Sequence, residues 1–141
     1  MSLPLYAQNA KERELYRSLD MAKQTYQKAL NVDVKFVGIG HIGLDAPLFV
    51  DGFMTKEEVQ SYVKAGAVGE ITGWLFDGHG QIIEGYANDR VNSVPLLPHN
   101  ERLVYGIAVG TRRVQAIRSA MQGGLINCLI TNEATAELIL G

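Results

Sequence analysis

The stretch from Leu103 to Leu140 limits most sharply what this chain can fold into. Leu103 to Val109 is an apolar run with strand character, and Gly110-Thr111 then turns the chain into a helix striped by Val114, Ile117 and Met121. Gly123-Gly124 closes that helix, Leu125 to Ile130 is a second apolar strand, and a last helix runs from Asn132 to Leu140. Strand, helix, strand, helix is the pattern of parallel strands joined by right-handed crossovers, so the fold class is α/β.

Upstream, Leu15, Leu19, Ala22, Tyr26 and Ala29 recur three and four apart and predict one amphipathic helix from Asn9 to about Leu30, with its basic residues on solvated flanks. Val34 to Ile39 reads as a buried strand, and the glycine-rich stretch from Gly40 to Phe53 reads as a loop broken by Pro47. Thr55-Lys56-Glu57-Glu58 is a capping box that opens a helix over Val59, Tyr62 and Val63, stopped by Gly66. Asp77-Gly78-His79-Gly80 is hairpin chemistry between two apolar stretches. About three parallel strands and a hairpin are too few for helices to cover both sheet faces, so the whole chain reads as part of a larger domain. Met1-Ser2-Leu3 reads as an appended leader.

Composition removes several function classes. Of the 141 residues 47% are apolar and 20% charged, as in an ordinary globular protein, and the formal net charge of −2 argues against nucleic-acid binding by this segment. No apolar run reaches the length of a membrane span. The one cysteine, Cys128, sits in an apolar run, reads as a core thiol, excludes an internal disulfide and fits a reducing cytoplasm.

Gly38-x-Gly40-x-x-Gly43 follows a strand, as in dinucleotide-binding turns, but no helix opens at Leu44-Asp45-Ala46-Pro47 to offer free amides to a pyrophosphate. Gly38 and Gly40 instead let a loop at the carboxyl end of a strand lie close to something, which is where ligands bind in open α/β sheets. Glu70 interrupts an apolar, glycine-flanked strand start, and a carboxylate there needs donors. Sugar hydroxyls would serve, and so would backbone amides or an arginine. Arg112 and Arg113 fall in the first turn of a helix, where an anion shared between guanidinium and amides would offset the unfavourable dipole. His41, His79 and His99 have no metal-ligand spacing, and no nucleophile elbow occurs. His41, in the glycine loop, is a candidate ligand contact. The segment Asn88-Asp89-Arg90 offers an ordinary surface pair or a ligand or subunit contact.

Taken together, VGIG (37–40), DGFMTKEEV (51–59), GAVGEITGWLFDGHG (66–80), NDRV (88–91) and QGGLINCLITNEATAELIL (122–140) resemble the sugar-binding domain of SorC-type transcriptional regulators, grouped with DeoR-like repressors. The resemblance runs from about Phe36 to Leu140. It implies a Rossmann-like three-layer fold of the phosphosugar-isomerase type without enzymatic activity, of which this chain is the C-terminal part. It also implies a cytoplasmic homo-oligomer, dimer or tetramer, whose DNA-reading helix-turn-helix lies in a separate N-terminal domain. A phosphorylated sugar or sugar alcohol would be its effector, with no cofactor and no metal. Carried across by position, Glu70 takes sugar hydroxyls and the backbone of Ile71, Thr72 and Gly73 lines the pocket. Arg113 stands where relatives often have a phosphate-holding lysine. The stretch Ala108-Val109-Gly110-Thr111-Arg112-Arg113 departs from the family's glycine pair and puts arginine for lysine, which changes the geometry of anion contact.

Two other readings stay open on the residues alone. A small isomerase or lyase would need a base beside a phosphate site, a role Glu70 could fill without an evident titratable partner. An oligomerisation fragment without ligand binding is the other.

Overall fold

The computed structural model describes residues 3–141, so Met1 and Ser2 of the leader reading lie outside the described residues. The elements, in chain order, are α1 (Ala10–Ser18), α2 (Asp20–Leu30), β1 (Val34–Gly38), β2 (Gly40–His41), α3 (Pro47–Val50), α4 (Lys56–Lys64), β3 (Ala67–Ile71), β4 (Trp74–Asp77), β5 (Leu103–Ile107), α5 (Val114–Gln122), β6 (Cys128–Ile130) and α6 (Glu133–Leu140). A three-stranded parallel sheet has the order β1-β5-β6, and a three-stranded antiparallel sheet has the order β2-β3-β4. The expected α/β class and the strand–helix–strand–helix ending are both present.

Helix α5 carries the main core. Ala116, Ile117 and Ala120 are sealed from solvent between Val104 and Ala108 of the parallel sheet region, Ile71 and Phe76 of the antiparallel sheet, and Leu125 and Ile126. Contact is close enough that Gly69 has room for no side chain: a Cβ there would press on Phe76 and Ala116. A second cluster joins Leu48, Met54, Val59 and Tyr62 to Leu75 and Ala87. The Thr55–Glu58 capping box forms as expected, the Glu58 carboxylate accepting from Thr55 N–H at 2.8 Å and the Thr55 hydroxyl from Glu58 N–H at 3.2 Å.

The structure corrects the sequence reading in several places. The single helix from Asn9 to Leu30 is two helices, broken at Leu19, whose ψ of 135° is extended. Ser18 Oγ donates back to the Leu15 carbonyl at 2.6 Å, a local bond that competes with helix continuation. Arg13 and Arg17 do more than flank this segment, lying over the rings of Trp74 and Tyr26. The glycine-rich loop contains the short helix α3, opened by Pro47 at a position where its missing N–H costs nothing. The stretch AVGEITGWLF is two antiparallel strands, not one run, because the chain reverses at Thr72-Gly73. Beyond Asp77–Gly80 the chain folds back through a single bridge, Phe76 to Ile82, rather than a full strand pair.

One face of the parallel sheet is open. Val34, Phe36, Leu103, Tyr105, Ile107, Cys128 and Ile130 share it by register, and Phe36 stacks on Tyr105 at 5.1 Å between centroids. Phe36 is 63% exposed. The expected burial of β1 and of the Cys128 thiol therefore does not hold: β1 is an edge strand with Phe36 outward, and Cys128 is half-buried.

Candidate functional site

Glu70 lies at the penultimate position of β3, one residue before the turn, and not at the start of a strand as its glycine-flanked context suggested. Its neighbour across the β2–β3 pair is Gly40. A Cβ on Gly40 would collide with Glu70 Oε1, so the glycine creates the space in which the carboxylate rests. Among the described residues, the one hydrogen bond to that carboxylate comes from Gly73 N–H to Oε2, at 2.8 Å. Burial raises the Glu70 pKa from its ordinary value. The Gly73 bond and the positive charge of Arg113 oppose that rise without cancelling it.

The turn that supplies Gly73 is a two-residue loop with both residues in the left-handed region, φ 49° at Thr72 and 89° at Gly73. Such loops fit the twist of a hairpin, and glycine takes the conformation freely, whereas a β-branched threonine does not. Both of its carbonyls are held from outside the hairpin. Ser93 Oγ donates to Thr72 C=O at 2.6 Å, and Tyr6 Oη donates to Gly73 C=O at 2.6 Å.

Around Glu70 opens a cavity of about 570 Å³. Gly38, Gly40, Glu70, Thr72, Gly73 and Arg113 line it, drawn from the end of β1, from β2, from the end of β3 with the turn after it, and from the turn into α5. Its apolar wall consists of Leu5, Ile39, Pro47, Leu48, Ile107, Ala108 and Val109. Six of the residues singled out from sequence thus converge on one space. Ile71 does not line it, because its side chain is fully buried in the main core. His41 lines a neighbouring cavity of about 480 Å³ with Asp45, Arg112 and the Gly110–Arg113 turn, and Pro47 and Arg113 border both cavities. There His41 Nε2 is 3.2 Å from Asp45 Oδ1, Asp45 pairs with Arg112, and His41 Nδ1 is buried without a partner.

Arg113 donates to the Val109 carbonyl at 2.8 Å from the 3₁₀ turn Thr111–Arg113, which places its charge at the cavity rim. The segment 88–90 has structural work. Asn88 is buried and bonds Leu75 N–H, Leu75 C=O and Ile83 C=O, while Arg90 pairs with Glu58 at 2.9 Å and lies over the Tyr6 ring. Leu5, Pro47, Leu48 and Ile107 are lining residues that sequence reasoning missed, being apolar positions with no local signature. Among the described residues, no group of three or more His, Cys, Asp or Glu side chains is placed to hold a metal ion. No described helix is long and apolar enough to cross a membrane.

A family model described as "Putative sugar-binding domain" matches residues 1–141. The chain is 28% identical over 141 residues to the erythritol catabolism regulatory protein EryD of Brucella abortus, covering all of this chain and 45% of that protein. It is 32% identical to the transcriptional regulator LsrR of Klebsiella pneumoniae, covering 97% of this chain and 44% of that one. Among solved structures, the full-length sorbitol operon regulator SorC of Klebsiella pneumoniae superposes over 100% of this chain and 46% of its own, with a TM-score of 0.88 at 26% identity. The chain therefore spans a little under half the length of these relatives. It belongs to the sugar-binding domain family of SorC/DeoR-type bacterial transcriptional regulators.

Proposed function

We propose that this chain is the effector-sensing part of a regulator of sugar metabolism, and that it binds a phosphorylated sugar or sugar alcohol in the cavity around Glu70. The observation that carries this reading is a mostly buried carboxylate with one intramolecular donor, opening on a cavity that has an arginine at its rim. A carboxylate so placed gains from vicinal hydroxyls, each donating to an oxygen, and loses little by leaving water it has already given up. Arg113 serves as the anion-reading group, with His41 and the amides of the Gly110–Arg113 turn at the adjoining cavity. The backbone of Ile71 contributes through the strand that sets Glu70 and the turn.

The sensing role is one of binding and not of catalysis: among the described residues the titratable groups nearest Glu70 are Tyr6, whose hydroxyl donates to the Gly73 carbonyl, and the cationic Arg113, and neither forms an acid–base pair with it. DNA would be read by a separate helix-turn-helix domain of the full regulator, which acts in the cytoplasm as a homodimer or homotetramer. The test is calorimetry against a panel that includes erythritol, sorbitol, their phosphates and ribose 5-phosphate. Binding by the native chain that falls at least tenfold in Glu70→Gln supports the reading. Binding unchanged by Glu70→Gln removes Glu70 from the site, and turnover of any panel member overturns the non-enzymatic role.

A further inference from the structure

We propose that Tyr6 is a positioning residue for Glu70, acting through the Thr72–Gly73 turn. The proposal rests on the reading of Glu70 as the hydroxyl-reading group. Residues 4–7 form a strap paired with the segment Arg90–Asn92, from which Tyr6 reaches the turn of the hairpin that carries the site. Asn92 N–H donates to Leu5 C=O at 2.9 Å, Asn92 Nδ2 to Pro4 C=O at 2.8 Å, and Ala7 N–H to Arg90 C=O at 2.8 Å, while Tyr6 bridges Val91. The strap brings the Tyr6 hydroxyl to the Gly73 carbonyl, 67 residues away in the chain. The N–H of that same Gly73 holds Glu70 Oε2. A single residue thus receives a bond from the strap and gives one to the carboxylate.

Three features make this more than a packing contact. Thr72 occupies a left-handed conformation that a β-branched residue adopts only when its surroundings over-determine it. The two anchors that do so, Ser93 and Tyr6, each reach one carbonyl of the turn. Gly73 is also walled in: a Cβ there would press on Leu5, Val91 and the Tyr6 hydroxyl. Leu5, next to Tyr6 on the strap, lines the cavity itself, so the strap both sets the carboxylate and forms part of the wall.

Tyr6→Phe removes the hydroxyl and keeps the ring. In the ligand-free chain, hydrogen exchange at the Gly73 amide is expected to speed up at least tenfold while β5 amides keep their rates. The carboxyl carbon of Glu70 is expected to titrate at higher pH as the Gly73 bond weakens. Unchanged Gly73 exchange together with an unchanged Glu70 titration overturns the proposal. Should Tyr6→Phe be too unstable for these measurements, its shift in urea midpoint is compared in native and Glu70→Ala backgrounds, since alanine removes the acceptor for Gly73 N–H. A shift that differs between backgrounds supports coupling, and an equal shift overturns it. Because these readouts need no ligand, they stand apart from the calorimetric test: Glu70→Gln without effect on binding defeats the sugar reading and leaves the positioning result as measured.

Discussion

Gly40 and Glu70 face each other across the β2–β3 pair, and the carboxylate fills the volume that any side chain at position 40 would need. Gly40→Ala is therefore expected to push the Glu70 carboxylate off its position and break its bond to Gly73 N–H, costing about 1 kcal/mol of stability. Gly38 provides the control. A Cβ there meets nothing within 4 Å, yet it would project at the cavity lining, so Gly38→Ala should stay within about 0.5 kcal/mol of the native chain. Urea unfolding of both variants checks the contrast, and equal destabilisation would refute it.

Glu70 carries a stability cost that depends on pH. Its pKa is raised in the folded state, chiefly by burial, so folding takes up protons as pH falls through the carboxylate range. The penalty is absent below the unfolded pKa and is fully present above the folded one. Glu70→Gln keeps an acceptor for Gly73 N–H and should stabilise the chain at neutral pH. That gain should vanish at acid pH. Urea midpoints at pH 3.5 and 7.5 measure it, and a gain that is the same at both would exclude this origin.

Asn88 bonds the Leu75 N–H and the Ile83 carbonyl and is a second donor to the Leu75 carbonyl, which also accepts from Ile83 N–H at 3.1 Å. Asn88→Ala should cost about 3 kcal/mol, because buried donors and acceptors lose partners that no water replaces. Asn88→Asp should cost at least as much, since it keeps the acceptor for Leu75 N–H but loses both donors and buries a charge. Thermal denaturation of the pair is the measurement, and an Asp variant close to native would count against this account.

Gly123 and Gly80 meet backbone to backbone where α5 ends beside the Asp77–Gly80 turn, and a Cβ on Gly123 would enter the Gly80 main chain. Neither segment can yield by rotating a side chain. Gly123→Ala should therefore destabilise by about 3 kcal/mol, toward the upper end for overpacking, read as a lowered urea midpoint.

What could be read from the sequence follows the range of the forces involved. The strand–helix–strand–helix ending and the Thr55–Glu58 box are written in local periodicity and spacing, and both stand in the structure. Gly38 and Gly40 were placed near a ligand by their position after a strand, Glu70 and Arg113 chiefly by the family resemblance, and the four lie around one cavity. The Thr72–Gly73 reversal was hidden because threonine there belongs, by preference, to a strand, and only tertiary anchors hold it in a turn. Leu5 and Tyr6 were invisible as site residues for the same reason. Their role depends on a contact between distant segments that leaves no mark in either one. The outward Phe36 was misread because apolarity signals a wish to be covered, and this chain alone does not meet it.

Ile107 belongs both to the open face of the parallel sheet and to the lining of the Glu70 cavity. A contact on that face that displaced Ile107, or Gly38 paired beside it, would move the cavity wall, and to that extent each occupancy would alter the other's affinity by the same factor. The strand ends carrying Gly38 and Ile107 are thus the place where a molecule in the cavity and a surface laid on the sheet would meet.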